Sequence, residues 1–172
     1  MEYYENGVYP WVKSKELTGS FLIETEEKIT DEALQNSSAK LLPENSILIA
    51  MYGATVGEYS IASKQMTCNQ AICALKPNSK YPYTFLFMLI KTMKKELINM
   101  AVGSAQQNIS QLLIKQLPIY FPNNRILEYH IKTSAMFEKI KFNINQIRTL
   151  EKLRDTLLPK LMSGEVRVEY EN

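Results

Sequence analysis

The chain has 172 residues, of which 45% are hydrophobic and 22% charged, a composition typical of a globular domain with a buried core. The longest apolar run, residues 83–90, is too short to cross a bilayer, and the amino terminus lacks the features of a secretory signal, so we expect a cytoplasmic protein. The formal net charge is only +2, and residues 1–122 carry eleven lysines against eleven acidic residues, so charge alone does not indicate a nucleic-acid partner.

The first predicted elements are a short helix and a pair of strands. Thr30 is followed by two acidic residues, which is a helix-start signal, and a turn follows at residues 41–45. The apolar run at residues 46–51 has strand length, and a second strand-like run ends at Ile61 after a glycine-bounded turn. A third strand is predicted over residues 67–75. Together these elements predict a small mixed β-sheet.

The next segment predicts helices packed on that sheet. From Pro82 to Ala101 apolar residues recur at helical spacing, which indicates an amphipathic helix. Ser110 is placed to cap a short helical turn, and the extended stretch at residues 116–121 closes the globular part. The pattern therefore predicts an α+β domain over residues 1–122.

Residues 123–172 predict one long helix and a short tail. Asn123 and Asn124 are capping residues, and the apolar residues that follow are spaced as in a coiled coil. Residues 124–162 would span roughly 58 Å as a helix, although Pro159 should kink or end it earlier. One small domain offers too little surface to cover such a stripe, so we expect a partner helix rather than a fold-back onto the same domain. The residues expected to face it are Phe137, Ile140, Ile144, Ile147, Leu150, Leu157 and Leu161.

Motifs for catalysis and metal binding are missing from the sequence. Cys68 and Cys73 are interpreted as reduced core thiols, because a metal site would need further cysteine or histidine ligands and the only histidine is His130. Residues 53–57 suggest a phosphate loop but are not followed by Gly-Lys-Ser/Thr. The only aspartates, Asp31 and Asp155, are too far apart to form a nuclease-type acidic cluster. We therefore predict no enzyme activity, no cofactor and no metal.

Local motifs in a fixed order give a resemblance to a known family. Each motif is weak alone, but their order, spacing and closing helix together are specific. The motifs are Tyr9-Pro10-Trp11-Val12-Lys13, Leu42-Pro43-Glu44-Asn45-Ser46-Ile47-Leu48-Ile49-Ala50, Tyr52-Gly53-Ala54-Thr55-Val56-Gly57, Cys68-Asn69-Gln70-Ala71, Gln107-Asn108-Ile109-Ser110 and Leu157-Leu158-Pro159-Lys160-Leu161-Met162-Ser163-Gly164-Glu165. They resemble the target-recognition domain and conserved helix of type I restriction-modification specificity subunits, over nearly the whole chain.

The resemblance implies a division of labour. Residues 1–122 would be a target-recognition domain, and residues 123–172 a conserved dimerisation and spacer helix with a short tail. A complete subunit of that family holds two such domains and two antiparallel helices, whereas this chain has one of each and begins inside a recognition domain. It is then either a half-subunit or a truncated copy.

The resemblance also implies the partners. They are double-stranded DNA with a bipartite site, the modification (methyltransferase) subunit and, through the complex, the restriction/translocase subunit. Two identical copies related by a two-fold axis would read an interrupted palindrome. The alternative is a truncated coiled-coil interaction module that binds the modification subunit without reading DNA.

The candidate DNA-contacting residues are lysines and amides. Asparagine and glutamine pair with adenine, and the domain has no arginine before Arg125, so we expect adenine-containing half-sites. Asn69 and Gln70 fall in a predicted strand, where a structural role ranks above base contact, and Trp11 is interpreted as core. The candidate DNA-contacting residues are Lys13, Lys15, Tyr52, Lys64, Gln106, Gln107, Asn108 and Lys115.

Overall fold

Two small mixed sheets and four α-helices make up the part of the chain described by the computed structural model, residues 2–101 and 107–167. One sheet has the strand order β3-β1-β6 and the other the order β2-β5-β4-β7. The α+β class is as predicted, but two sheets replace the single expected one. The elements are β1 Tyr9–Val12, β2 Phe21–Leu22, β3 Glu27–Ile29, α1 Asp31–Asn36, β4 Ile47–Ala50, β5 Tyr59–Ala62, β6 Thr67–Cys68, β7 Ile72–Leu75, α2 Tyr83–Asn99, α3 Gln111–Lys115 and α4 Asn124–Met162.

The four-stranded sheet is buried on both faces. Successive side chains of a strand point to opposite faces. Ile47 and Ile49 of β4 accordingly join the apolar cluster that contains the residues of α2, and Leu48 and Ala50 join the cluster beneath the other sheet. All four residues are fully buried. The continuous apolar run that predicted this strand is therefore explained by two covered faces, as in other buried sheets.

The predicted third strand is in fact two strands that belong to different sheets. β6 lies beside β1, whereas β7 lies beside β4, so the chain must turn between them. The turn is closed by Asn69, whose side-chain oxygen accepts a hydrogen bond from Ala71 N at 3.1 Å and whose carbonyl accepts one from Ile72 N at 3.2 Å. Asn69 and Gln70 thus lie in a turn, which corrects their placement in a strand.

Three predicted helix starts are confirmed by capping hydrogen bonds. The Thr30 hydroxyl accepts from Ala33 N at 3.1 Å, and the Ser110 hydroxyl accepts from Leu113 N at 3.2 Å. Asn123 caps α4 through its side-chain oxygen, which accepts from the backbone N–H three residues on at 3.3 Å. These caps satisfy backbone donors that have no partner inside the helix, which is why they could be read from local sequence.

The glycine-bounded turn between β4 and β5 packs closely on α2. Gly57 has a positive φ of 81°, and a Cβ at this position would lie 2.8 Å from Ile98 Cγ1. A side chain here would meet both backbone strain and a steric clash. The turn was predicted from the two glycines, but the approach of α2 was not.

The long helix α4 runs from Asn124 to Met162 with Pro159 inside it. Pro159 was expected to kink or end the helix. The helix does not end there, because the missing N–H costs one hydrogen bond near the carboxyl end and three helical residues still follow. From Thr149 to Arg167 every residue is exposed. Among the described residues, no helix is both long and apolar enough to cross a membrane.

Candidate nucleic-acid interface and partner helix

Tyr52, Gln107 and Asn108 are brought together by backbone pairing. Tyr52 and Asn108 form an isolated antiparallel bridge. Gly53 N donates to Gln107 O at 2.9 Å, and Ile109 N donates to Met51 O at 2.8 Å. The side chains of Gln107 and Asn108 are exposed, whereas Tyr52 is half-buried against the core. The amides are thus presented to solvent on a fixed backbone. Gln106 lies outside the described residues.

Lys13 and Lys15 are occupied by acidic side chains of the same domain. Lys13 Nζ contacts the Glu27 carboxylate, and Lys15 Nζ lies 2.7 Å from Glu26 Oε2. The hydrogen bond to Glu27 is the main cause that raises the pKa of Lys13. A lysine neutralised by a neighbouring carboxylate gains less from a phosphate than one with no acidic neighbour. Both candidate lysines therefore already have a carboxylate partner within their own domain.

Lys64 and Lys115 are exposed lysines at separate places in the fold. Lys64 lies in the turn between β5 and β6, and Lys115 is the last residue of α3. Within the described ranges, neither ammonium has a carboxylate within 4.0 Å. Both can therefore attract phosphate.

A pocket of about 370 Å³ opens where the edges of the two sheets meet. Alternation along β7 turns Cys73 and Leu75 toward the helices, and places Ile72 and Ala74 on the pocket side. Of the described residues, no acidic side chain lines it, and its two lysines have no carboxylate within 4.0 Å. Its polar and aromatic lining residues include Trp11, Lys40, Asn69, Gln70, Lys76 and Gln111.

The chemistry of this pocket suits a nucleic acid. Glutamine amides can bind a base edge through an oxygen and an NH₂ group together, and lysine attracts phosphate. Gln70 and Gln111 are exposed and can use both amide atoms, whereas the Asn69 oxygen is already engaged by Ala71 N. Trp11 is half-buried at the pocket wall, which corrects its interpretation as a core residue.

Cys68 also lines the pocket, as a neutral thiol. Burial raises the pKa of Cys68 to about 11, so the thiolate form is scarce at neutral pH. Cys68 and Cys73 are both free. Within the described part of the chain, no group of three or more potential metal ligands is found. The pocket therefore offers amides and lysines for binding and no activated sulfur nucleophile.

This pocket was missed in the sequence because its residues are far apart along the chain. A two-residue alternation in β1 could have placed Trp11 opposite the buried Pro10 and Val12. Lys40, Lys76 and Gln111 carry no local signal, since they lie on a loop, beyond a strand end and at a helix start.

The apolar stripe of α4 is divided between two environments. Phe137 is only 8% exposed, and its ring packs edge-on against Phe21, Tyr83 and Phe87 at centroid distances of 6.4, 5.7 and 5.5 Å. Ile144 is half-buried against the same cluster. The expectation that these two residues face a partner helix is corrected, because their own domain covers them. The remaining stripe residues are exposed: Ile140, Ile147, Leu150, Leu157 and Leu161.

Polar contacts continue this docking along α4. Tyr83 OH donates to Glu138 Oε1 at 3.0 Å, and Lys141 Nζ lies 2.6 Å from Glu44 Oε1. Further along the helix, the Glu24 carboxylate binds both Arg148 and Lys152. Within residues 2–101 and 107–167, these polar contacts thus hold the helix to the domain as far as Lys152.

Comparison with known proteins gives these features a family. The profile of the family described as "Type I restriction modification DNA specificity domain" matches residues 1–153. The chain belongs to this family. The match includes the globular domain and most of α4, as the sequence motifs indicated.

Curated relatives are named specificity subunits, the non-catalytic components of such systems. The MjaIX specificity subunit of Methanocaldococcus jannaschii is 31% identical over 171 residues, which cover 97% of this chain and 40% of the relative. The HindI specificity subunit of Haemophilus influenzae is 29% identical, covering 96% of this chain and 37% of the relative. The chain therefore spans about two fifths of the length of these relatives.

Solved structures show the same fold. A type I restriction-modification S subunit from M. genitalium matches with a TM-score of 0.64 at 22% identity, over 94% of this chain and 40% of that chain. The HsdS subunit from Thermoanaerobacter tengcongensis matches with a TM-score of 0.56 at 16% identity, over 94% of this chain and 38% of that chain. The α+β domain followed by a long helix is thus an arrangement found in specificity subunits.

Proposed function

We propose that this chain is a non-catalytic DNA-sequence reader that directs the modification and restriction subunits of a type I system to their sites. The observation that carries the proposal is the family match over residues 1–153, which takes in both the domain and most of the helix. In this proposal, residues 1–122 read DNA and residues 123–172 form the spacer and partner helix. The site of action is the cytoplasm, where the DNA and the partner subunits meet.

The pocket between the two sheets supports the assignment of a DNA-facing side. Lys40 and Lys76 would contact phosphates, and Gln70 and Gln111 would contact base edges, with adenine favoured by the amide geometry. Gln107 and Asn108 offer a second pair of exposed amides. The domain has equal numbers of lysines and acidic residues, so its attraction to DNA depends on where the unpaired lysines lie rather than on net charge.

The exposed outer part of α4 supports action in pairs. Ile147, Leu150 and Leu157 are 54%, 63% and 37% exposed, although they extend the apolar stripe of the buried Phe137, with a slip in the coiled-coil spacing after Ile147. A second copy would cover them and place two readers at a fixed separation. Two identical readers would select an interrupted palindrome.

The direct test is methylation sequencing of a host that expresses the modification subunit of the system with or without this chain. We expect modified bases at one interrupted palindrome only when both proteins are present. An unchanged methylation pattern would reject DNA reading. Co-purification of the two proteins in that case would support the interaction-module alternative.

A pair of double variants tests which lysines contact DNA. Replacing Lys40 and Lys76 by alanine should reduce the slope of log affinity against log salt by about 2, since each phosphate contact contributes about 0.9. The matched control replaces Lys13 and Lys15, which are held by Glu27 and Glu26, and should change the slope much less. Equal slopes for the two double variants would remove the pocket from the interface.

A single substitution tests base reading at the amide loop. Gln107→Ala should weaken specific binding by about 1–3 kcal/mol and leave nonspecific binding unchanged. Equal losses on specific and nonspecific DNA would give Gln107 a structural role instead.

A further inference from the structure

Glu24 makes the outermost polar contact between the globular domain and α4. Its carboxylate accepts hydrogen bonds from Arg148 Nη2 at 2.9 Å and from Lys152 Nζ at 3.1 Å. Beyond Lys152, no hydrogen bond or ion pair joins the domain to the helix within residues 2–101 and 107–167. The Glu24 carboxylate is therefore the last polar contact between the domain and the helix.

The chain around β2 runs along the helix and places Glu24 there. Phe21 of β2 contacts Phe137, and Ile23 lies in the same apolar cluster. Glu24 follows directly, and Ile144 and Arg148 line the same groove as these residues. The contact between domain and helix is thus apolar near Phe137 and ionic near Lys152.

The ionic contact at Lys152 lies far along the helix from the apolar contact at Phe137. Phe137 and Lys152 are 15 residues apart, or about 22 Å along the helix axis. A displacement of ~3 Å at Lys152 corresponds to a tilt of ~8° between the helix and the domain about Phe137. A small change at Glu24 therefore changes the angle between the domain and α4.

The ion pairs themselves are partly exposed, and such pairs add little to stability. The hydrogen bond from Lys152 is the main cause that lowers the pKa of Glu24, so the carboxylate stays charged at neutral pH. Two cations from successive helical turns bind this one carboxylate, so Glu24 contacts the helix at two points, Arg148 and Lys152. A second tether, between Glu44 and Lys141, lies closer to Phe137 and has a shorter lever arm.

We infer that Glu24 is a positioning residue that fixes the angle between the recognition domain and α4, and thereby the spacing of half-sites that a pair of chains accepts. The inference rests on the proposed function for its link to DNA. The fixed angle itself is a property of the chain alone.

The angle is tested by distances between spin labels. Ser79→Cys and Ser163→Cys place one label on the domain and one beyond α4, in a chain that also carries Cys68→Ser and Cys73→Ala. Labelled chain is mixed with a large excess of unlabelled chain, so that almost no pair of copies holds two labelled members. Glu24→Lys should broaden the distance distribution by about 3 Å, the displacement expected at the lost contact.

The matched control is Glu26→Lys, which makes the same charge change two residues away, where the carboxylate binds Lys13 and Lys15 of the same domain. It should leave the distribution unchanged. Charge reversal on the helix, Arg148→Glu with Lys152→Glu, should restore the narrow distribution to Glu24→Lys. A Glu24→Lys distribution as narrow as that of the control, or no restoration by reversal, would overturn the inference.

The link to DNA is tested by selection from a library of random half-sites separated by spacers of different length. Wild-type chain with the modification subunit should select one spacer, and Glu24→Lys should select the same half-sites with at least one further spacer length. Selection of the wild-type spacer alone by Glu24→Lys would overturn the inference and leave the proposed function standing. Failure of the wild-type chain to select any interrupted sequence would instead reject the proposed function, and the label distances would still decide the angle.

Discussion

The inner half of α4, residues 124–148, and the outer half, residues 149–162, have similar apolar spacing but opposite surroundings. Phe137 in the inner half is 8% exposed, whereas Leu150 in the outer half is 63% exposed. The inner half packs on its own domain, and the outer half extends beyond it after the ion pair of Lys152 with Glu24. Periodicity thus decides which residues share a face of a helix. How far the neighbouring domain extends along the helix decides what covers that face.

The largest effect is expected where the inner half enters the core. Phe137→Ala should lower the free energy of unfolding by about 3–5 kcal/mol, because it removes a ring that contacts three other aromatic rings. Urea denaturation measures the loss. The matched change Leu150→Ala should cost less than about 0.5 kcal/mol at concentrations where the chain is monomeric. Similar losses for the two variants would show that the two halves do not differ as described.

Substitutions in the outer half should weaken self-association and leave the stability of the fold unchanged. Leu150→Glu combined with Leu157→Glu should weaken self-association at least about tenfold, or ~1.4 kcal/mol, because carboxylates would be buried in an apolar contact. Sedimentation equilibrium measures the dissociation constant. The unfolding midpoint of the monomer should stay unchanged. A wild-type chain that is monomeric at micromolar concentration would contradict the dimer and leave the outer half to a different partner.

A smaller effect is expected at the hydrogen bond between Tyr83 and Glu138 of the inner half. Tyr83 OH donates to Glu138, and burial together with this hydrogen bond raises the pKa of Tyr83, so the hydroxyl is neutral and a donor. Tyr83→Phe should cost about 0.5–1.5 kcal/mol in the free energy of unfolding. Tyr9→Phe, which removes an exposed hydroxyl bonded to Asp31, is the control away from α4. A greater loss in the control would argue against a role of this contact in docking.

The smallest effect is a pH dependence where Glu24 binds the helix at the junction of the two halves. Lys152 and Arg148 lower the pKa of Glu24, so the folded chain holds this proton less tightly than the unfolded chain. The stabilisation is therefore present above the ordinary glutamate value and is lost as pH falls through the lowered value. The difference in free energy of unfolding between wild type and Glu24→Gln should shrink toward zero as the pH falls from neutral to acid. A difference that stays constant would show that Glu24 acts without its charge.

Local signals in the sequence were reliable wherever a contact spans only a few residues. Thr30, Ser110 and Asn123 cap helices through side chains that reach three residues ahead, so neighbouring residues suffice to predict them. The strands β4 and β5 were visible as apolar runs. The short strand β2 escaped prediction because its two residues form a strand only when paired with β5.

The candidate DNA interface was less predictable than the fold. Gln107 and Asn108 were found because they are adjacent amides in a loop. Lys40, Gln70 and Gln111 meet only where two sheet edges come together, and the neutralisation of Lys13 depends on Glu27 across a strand pair. These contacts depend on how strands and loops meet in the folded domain. No pattern along the chain therefore predicts them.

What the sequence alone determined is the division of the chain into an α+β domain and a long apolar-striped helix, together with the family that this order of motifs resembles. Only the tertiary structure decided that the stripe is shared, with Phe137 in the domain and Leu157 outside it. The physical reason is that an apolar stripe can be buried against any apolar surface. Which surface reaches it depends on how far the folded domain extends along the helix, and that extent ends at Glu24.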